Sequence, residues 1–81
     1  METTVSVSVQ VGETLPRRLG ERVRTLRSQK HWSQEVLAEL SGLHRNYIGH
    51  IERGEINTGF KNVYLLSEAF SISVSEFLEG I

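Results

Sequence analysis

Residues 32–54 read WSQEVLAELSGLHRNYIGHIERG, and the reading of this stretch decides the fold. Ser33 has a good N-cap side chain. After it Val36, Leu37 and Leu40 recur at helical spacing until Gly42 interrupts them, which predicts a short helix over Gln34–Leu40. Past Leu43 the apolar residues Tyr47, Ile48 and Ile51 fall on one side, and Gly54 stands at a natural C-terminal stop. A second helix is therefore predicted over Arg45–Arg53. The join between the two carries the information. Two short helices that cross closely need a small residue in the first, a glycine four residues later to take a left-handed turn, and apolar side chains that wedge the pair. Ala38 is the small residue, Gly42 the turn, and Leu37, Leu43, Ile48 and Ile51 the wedge. Spacing of this kind arises by chance far less easily than a lone glycine motif.

On the N-terminal side, Leu19, Val23 and Leu26 share one helical face and predict a helix from Pro16 to Gln29, with the proline in the first turn, where it is tolerated. Its opposite face carries Arg17, Arg18, Arg22, Arg24, Arg27 and Lys30. On the C-terminal side, Phe60, Val63, Tyr64, Leu65, Leu66 and Phe70 carry the helical period of a fourth helix, which Ser71–Ser73 break. Ser73 with Glu76 then reads as a capping box, and Val74, Phe77 and Leu78 supply the apolar stripe of a short fifth helix. At the other end, residues 3–11, TTVSVSVQV, alternate Val5, Val7, Val9 and Val11 with small polar residues, the period of a strand. A lone strand leaves its backbone groups unpaired. This arm either pairs with another copy or stays flexible. The chain thus divides into an N-terminal arm, residues 1–14, and one helical domain, residues 15–81.

With 81 residues there is room for one core, and with no cysteine neither disulfides nor thiolate metal sites can brace it. Packing or oligomerisation must do so. The absence of cysteine, of a long apolar run and of a signal pattern leads to the expectation of a cytoplasmic location. The net charge of −1 hides an uneven distribution: all nine Lys and Arg lie between Arg17 and Lys61 beside five of the ten acids, a local excess of four positive charges, while both flanks carry only acids. No recognisable nucleophile setting, glycine-rich phosphate loop or metal-ligand spacing is present, so neither an enzyme nor a cofactor or metal is expected.

The quoted stretch, with its Arg-x-Tyr-Ile and Ile-Glu-Arg-Gly elements, resembles the Xre-type, lambda-repressor-like (Cro-type) helix-turn-helix family over about residues 17–79. Within that family it is similar to the small controller proteins of restriction-modification systems and to comparable phage or plasmid regulators. Thr58-Gly59 departs from the proline and serine or threonine that usually open helix four, and the valine-rich arm is not a standard part. The resemblance implies an all-α, five-helix DNA-binding domain with a short β-type or flexible arm. It also implies a two-fold dimer on a palindromic operator in double-stranded DNA, with helix three in the major groove. RNA polymerase is a further partner if the regulator activates, and the residues leave activation and repression both open.

The residue types agree. Arg45 has the planar fork that suits guanine, Asn46 can pair with adenine, His50 lies one turn on, and Gly49 leaves room between them. Gln34 and Tyr47 read as contacts to the DNA backbone, joined by Arg17 and Arg53. Each has a plainer reading: Arg45, Asn46 and His50 as solvated surface residues, His44 as an N-cap, Trp32 as packing, and the basic face of helix one as solvated charge, although Arg17, Arg18 and Arg22 sit where they could flank DNA. The resemblance further suggests that Glu52 ties down a neighbouring arginine. Ile72, Val74, Phe77, Leu78 and Ile81 are more apolar residues than one short helix can hide, which predicts a dimer. The rival function is an antitoxin or anti-repressor whose valine-rich arm adds a strand to a partner protein's sheet.

Overall fold

The computed structural model describes the backbone from Glu2 to Ile81 and the side chains from Thr14 onward. Among the described residues there are five α-helices: α1 Glu2–Gln29, α2 Gln34–Ser41, α3 Arg45–Glu52, α4 Phe60–Ala69 and α5 Val74–Phe77. The four helices expected after the first fall where the apolar spacing and caps put them. α1 differs. Its backbone is helical from Glu2, so residues 3–11 are not a strand, and Pro16 sits inside the helix rather than in its first turn. The physical reason lies in backbone pairing: a strand needs a ladder partner, whereas a helix pairs its own groups locally. Any pairing of the arm's valine side chains with another copy lies outside the described residues.

Local chemistry sets the helix ends. The Ser33 hydroxyl accepts from Val36 N–H at 3.2 Å and the Ser73 hydroxyl from Glu76 N–H at 3.0 Å, the N-caps of α2 and α5. Gly42 ends α2 with φ +79°, a left-handed residue whose N–H returns to the Ala38 carbonyl at 2.9 Å. α4 starts from Gly59 with no side-chain cap. Thr58 is engaged elsewhere, its hydroxyl lying 2.8 Å from that of Tyr47. That is the structural outcome of the Thr58-Gly59 departure.

The core draws on every helix: Leu19 and Val23 from α1, Leu37 from α2, Ile48 and Ile51 from α3, Val63 and Leu66 from α4, Phe70 just beyond α4, and Phe77 from α5. Trp32 stacks on Phe70 with centroids 5.6 Å apart, and Phe70 on Phe77 at 6.2 Å, so Trp32 packs as its plainer reading had it. Phe77 is completely buried within its own chain and is not free for a dimer face. Its neighbour explains why: the ring lies against that of Phe70 inside the core, and Ile72 and Val74 are among the partly buried residues packed around that core. Arg22 closes the far end of α5, donating from Nε to the Phe77 carbonyl at 2.9 Å and from Nη2 to the Glu76 carbonyl at 2.8 Å. This arginine, a possible DNA flank in the sequence, is instead a C-terminal cap.

α3 is seated on α1 by a close approach. A Cβ at Gly20 would overlap the carbonyl oxygens of Ile51 and Glu52, so only glycine lets the two backbones meet there. Nothing in the apolar periodicity of helix one pointed to it.

Candidate nucleic-acid interface

α3 has two faces. Ile48, Ile51 and Glu52 are buried, while Arg45, Asn46, His50 and Arg53 are exposed. The buried face is held by a charge as well as by packing. Glu52 has only 1% of its side chain exposed and accepts from Arg27 in fork-to-fork geometry, Nε at 2.7 Å and Nη2 at 3.0 Å. That pairing, the first of its causes, raises the Arg27 guanidinium above its ordinary value, so Arg27 stays charged. Arg27 Nη1 also donates to the Trp32 carbonyl at 2.7 Å, and Gln34 Nε2 donates to Glu52 Oε1 at 3.1 Å. One buried carboxylate therefore ties together α1, the start of α2 and the end of α3. Among the described residues no buried side-chain polar atom lacks a partner.

The exposed face gathers the expected readers. Gln34, Arg45, Asn46, Gly49, His50 and Arg53 line one shallow polar cleft. His44 is the N-cap of α3, its Nδ1 accepting from Asn46 N–H at 3.0 Å, as its plainer reading had it. That cap starts α3 at Arg45, so Arg45 and Asn46 stand in its first turn and line the cleft. Arg45 leans back to Glu35, Nε to Oε2 2.8 Å, in a pair more than half exposed on both sides. Such a surface pair is worth little and parts easily. The guanidinium of Arg53 lies over Gly49, where a Cβ would stand 3.1 Å from Nη1, so the glycine makes room for an arginine as well as for a ligand. Glu55 reaches back from beyond the helix to Arg53 Nε at 2.9 Å and His50 Nδ1 at 2.7 Å. Those two bonds, the arginine's first, hold the Glu55 carboxyl below the usual carboxylate range.

The other expected contacts divide. Gln34 is half-buried at the cleft wall, where one N–H of its amide is given to Glu52. Tyr47 faces α4: its hydroxyl meets Thr58 and accepts from Asn62 Nδ2, both at 2.8 Å, a network that fixes the α3–α4 connection. Arg17 is exposed but lies at the far end of α3, its backbone packed beside Gly54. Sequence reasoning missed Glu35 and Glu55, the partners of the exposed arginines. The spacing of Glu55 from His50 across a glycine was the available signal.

A helix pinned by its inner face and lined on its outer face by arginine, asparagine and histidine, joined through a left-handed glycine to a preceding helix, is the helix-turn-helix arrangement. The family model described as helix-turn-helix matches residues 23–77. The chain belongs to this family and is a DNA-binding transcriptional regulator. It is similar to "Control protein C.SmaI" of Serratia marcescens, 47% identical over 60 residues that cover 74% of this chain and 71% of the relative. With "Control protein C.BamHI" of Bacillus amyloliquefaciens it shares 39% over 61 residues, covering 74% and 75%. The crystal structure of the restriction-modification controller protein C.AhdI from Aeromonas hydrophila superposes with a TM-score of 0.75 at 43% identity, covering 78% of this chain and 96% of that one. Among the described residues no helix is long and apolar enough to cross a membrane.

Proposed function

We propose that the chain is a controller of a restriction-modification system that binds a roughly palindromic operator as a homodimer. Residues 15–81 are the DNA-binding and dimerisation unit, and residues 1–14 an arm appended to it. α3 of each copy enters the major groove, with Arg45, Asn46 and His50 toward base edges and half-sites about one helical turn, roughly 34 Å, apart. Arg53, the N-terminus of α2 at Gln34, and Arg17 flank the phosphates, and Tyr47 acts by holding the α3–α4 connection. The observation that carries this reading is the single polar cleft that collects Arg45, Asn46, His50 and Arg53 on the exposed side of α3.

The dimer is supported by apolar surface rather than by Phe77. Leu15, Pro16, Phe60, Leu78 and Ile81 line an open groove between α1, α4 and the C-terminus, and Phe60 is 72% exposed. Ile72 and Val74 are half-buried against the core, and the part of each that stays in solvent joins Leu78 as apolar surface for the same partner copy. A cytoplasmic site of action and contacts with RNA polymerase go with the regulator role.

The test is a fluorescence-anisotropy titration of promoter and randomised DNA at two salt concentrations, with wild type, Arg45→Ala and Asn46→Ala. The reading requires a preferred site that both substitutions weaken and sedimentation of a dimer at micromolar concentration. No sequence preference in the wild type refutes it.

A further inference from the structure

His50 has one ring nitrogen committed and one free. Nδ1 lies 2.7 Å from Glu55 Oε1, and also 3.3 Å from Arg53 Nη2. Both cannot be hydrogen bonds to the same neutral nitrogen, because a carboxylate only accepts and a guanidinium only donates. The shorter contact to the charged acceptor prevails, so Nδ1 carries the proton. Nε2 then bears the lone pair, and among the described residues it has no hydrogen-bond partner.

Three features keep Glu55 in place. Gly54, at φ +71°, turns the chain back so that Glu55 N–H donates to the His50 carbonyl at 3.0 Å, which brings the carboxylate beside the imidazole. The second carboxylate oxygen accepts from Arg53 Nε at 2.9 Å, which opposes rotation away from His50. Arg53 in turn lies over Gly49, beside His50. The dyad is therefore built by the turn, and not by a chance meeting of two surface side chains.

Resting on the reading of α3 as the base-facing helix, we infer that Glu55 is a specificity-determining positioning residue that fixes His50 as a hydrogen-bond acceptor at Nε2. An acceptor on this face meets the amino groups that the major groove displays, N6 of adenine or N4 of cytosine. The opposite tautomer would present a donor there and select guanine or thymine oxygen instead. Glu55 thus acts on base choice without touching a base, because the partner of one ring nitrogen decides what the other offers.

The experiment compares wild type, Glu55→Gln, His50→Ala and the double variant. Long-range 1H–15N spectra of 15N-histidine-labelled protein at mildly alkaline pH read the tautomer without DNA. Anisotropy titration over operator variants at each base pair reads discrimination. A glutamine can accept from Nδ1–H or donate to a bare Nδ1, so Glu55→Gln lets the Nε2–H form appear. Discrimination at the base pair facing His50 then falls about three- to tenfold, the worth of one hydrogen bond. The double variant loses no more than His50→Ala, and preferences at the Arg45 and Asn46 positions stay intact. A wild-type His50 in the Nε2–H form, or unchanged discrimination in Glu55→Gln, overturns the inference while leaving the regulator standing. Absence of any preferred site in the wild type overturns both.

Discussion

Glu52 and Glu55 stand at the end of α3, three residues apart, and each pairs with an arginine, yet they do opposite work. Glu52 is buried to 1% exposure, and its partner Arg27 keeps only 18% of its side chain in solvent; Glu55 and Arg53 are each about half exposed. Removing charges from water is costly, so the buried pair persists only because the fork geometry and Gln34 satisfy the carboxylate completely. It fixes where α3 lies. The exposed pair is screened and adjustable, and it arranges side chains that must still meet a ligand. α3 thus carries both kinds: a buried pair that fixes its backbone, and an exposed pair at its end that orders side chains while staying open to salt.

The comparison breaks most visibly at Glu52. Glu52→Ala leaves the Arg27 charge poorly compensated and is expected to cost about 3–5 kcal/mol, a large part of the roughly 4–12 kcal/mol available to a domain of this size. Urea unfolding would measure it, and a loss below about 1 kcal/mol would put the pair among ordinary surface bridges. Next in size, Arg45→Ala and Asn46→Ala are each expected to weaken binding at single base positions by about 1–3 kcal/mol, with stability changed by less than about 0.5 kcal/mol. If either lowers stability as much as binding, the two faces of α3 are not separate.

Tyr47→Phe sharpens the middle ground. It removes the hydroxyl shared by Thr58 and Asn62 and should cost about 0.5–1.5 kcal/mol of stability, with the salt slope of DNA binding unchanged. A shallower slope would return Tyr47 to the phosphates. The smallest effect belongs to the exposed carboxylate. Because its folded pKa is depressed, chiefly by Arg53, Glu55 contributes stability that is full above the ordinary carboxylate range and is lost as pH falls through the lowered value. The thermal midpoints of wild type and Glu55→Gln should therefore converge under acid and also in high salt. A gap that persists in either condition would mean that Glu55 acts through something other than its charge.

What the chain alone determined is the part that depends on local spacing. The helix-turn-helix core could be read from Ala38, Gly42, Ile48 and Ile51, and the caps from Ser33 and Ser73, because apolar period and capping chemistry act over one or two turns. The exposed position of Arg45, Asn46 and His50 followed from the same period. Tertiary structure decided the rest, through contacts between residues far apart in sequence. It spent Arg22 on the end of α5, put Phe77 inside its own core, turned Tyr47 toward α4, and made Gly20 the seat of α3. Periodicity says which face of a helix is apolar, but not which neighbour arrives to cover it or which polar group beyond that face is left to meet DNA.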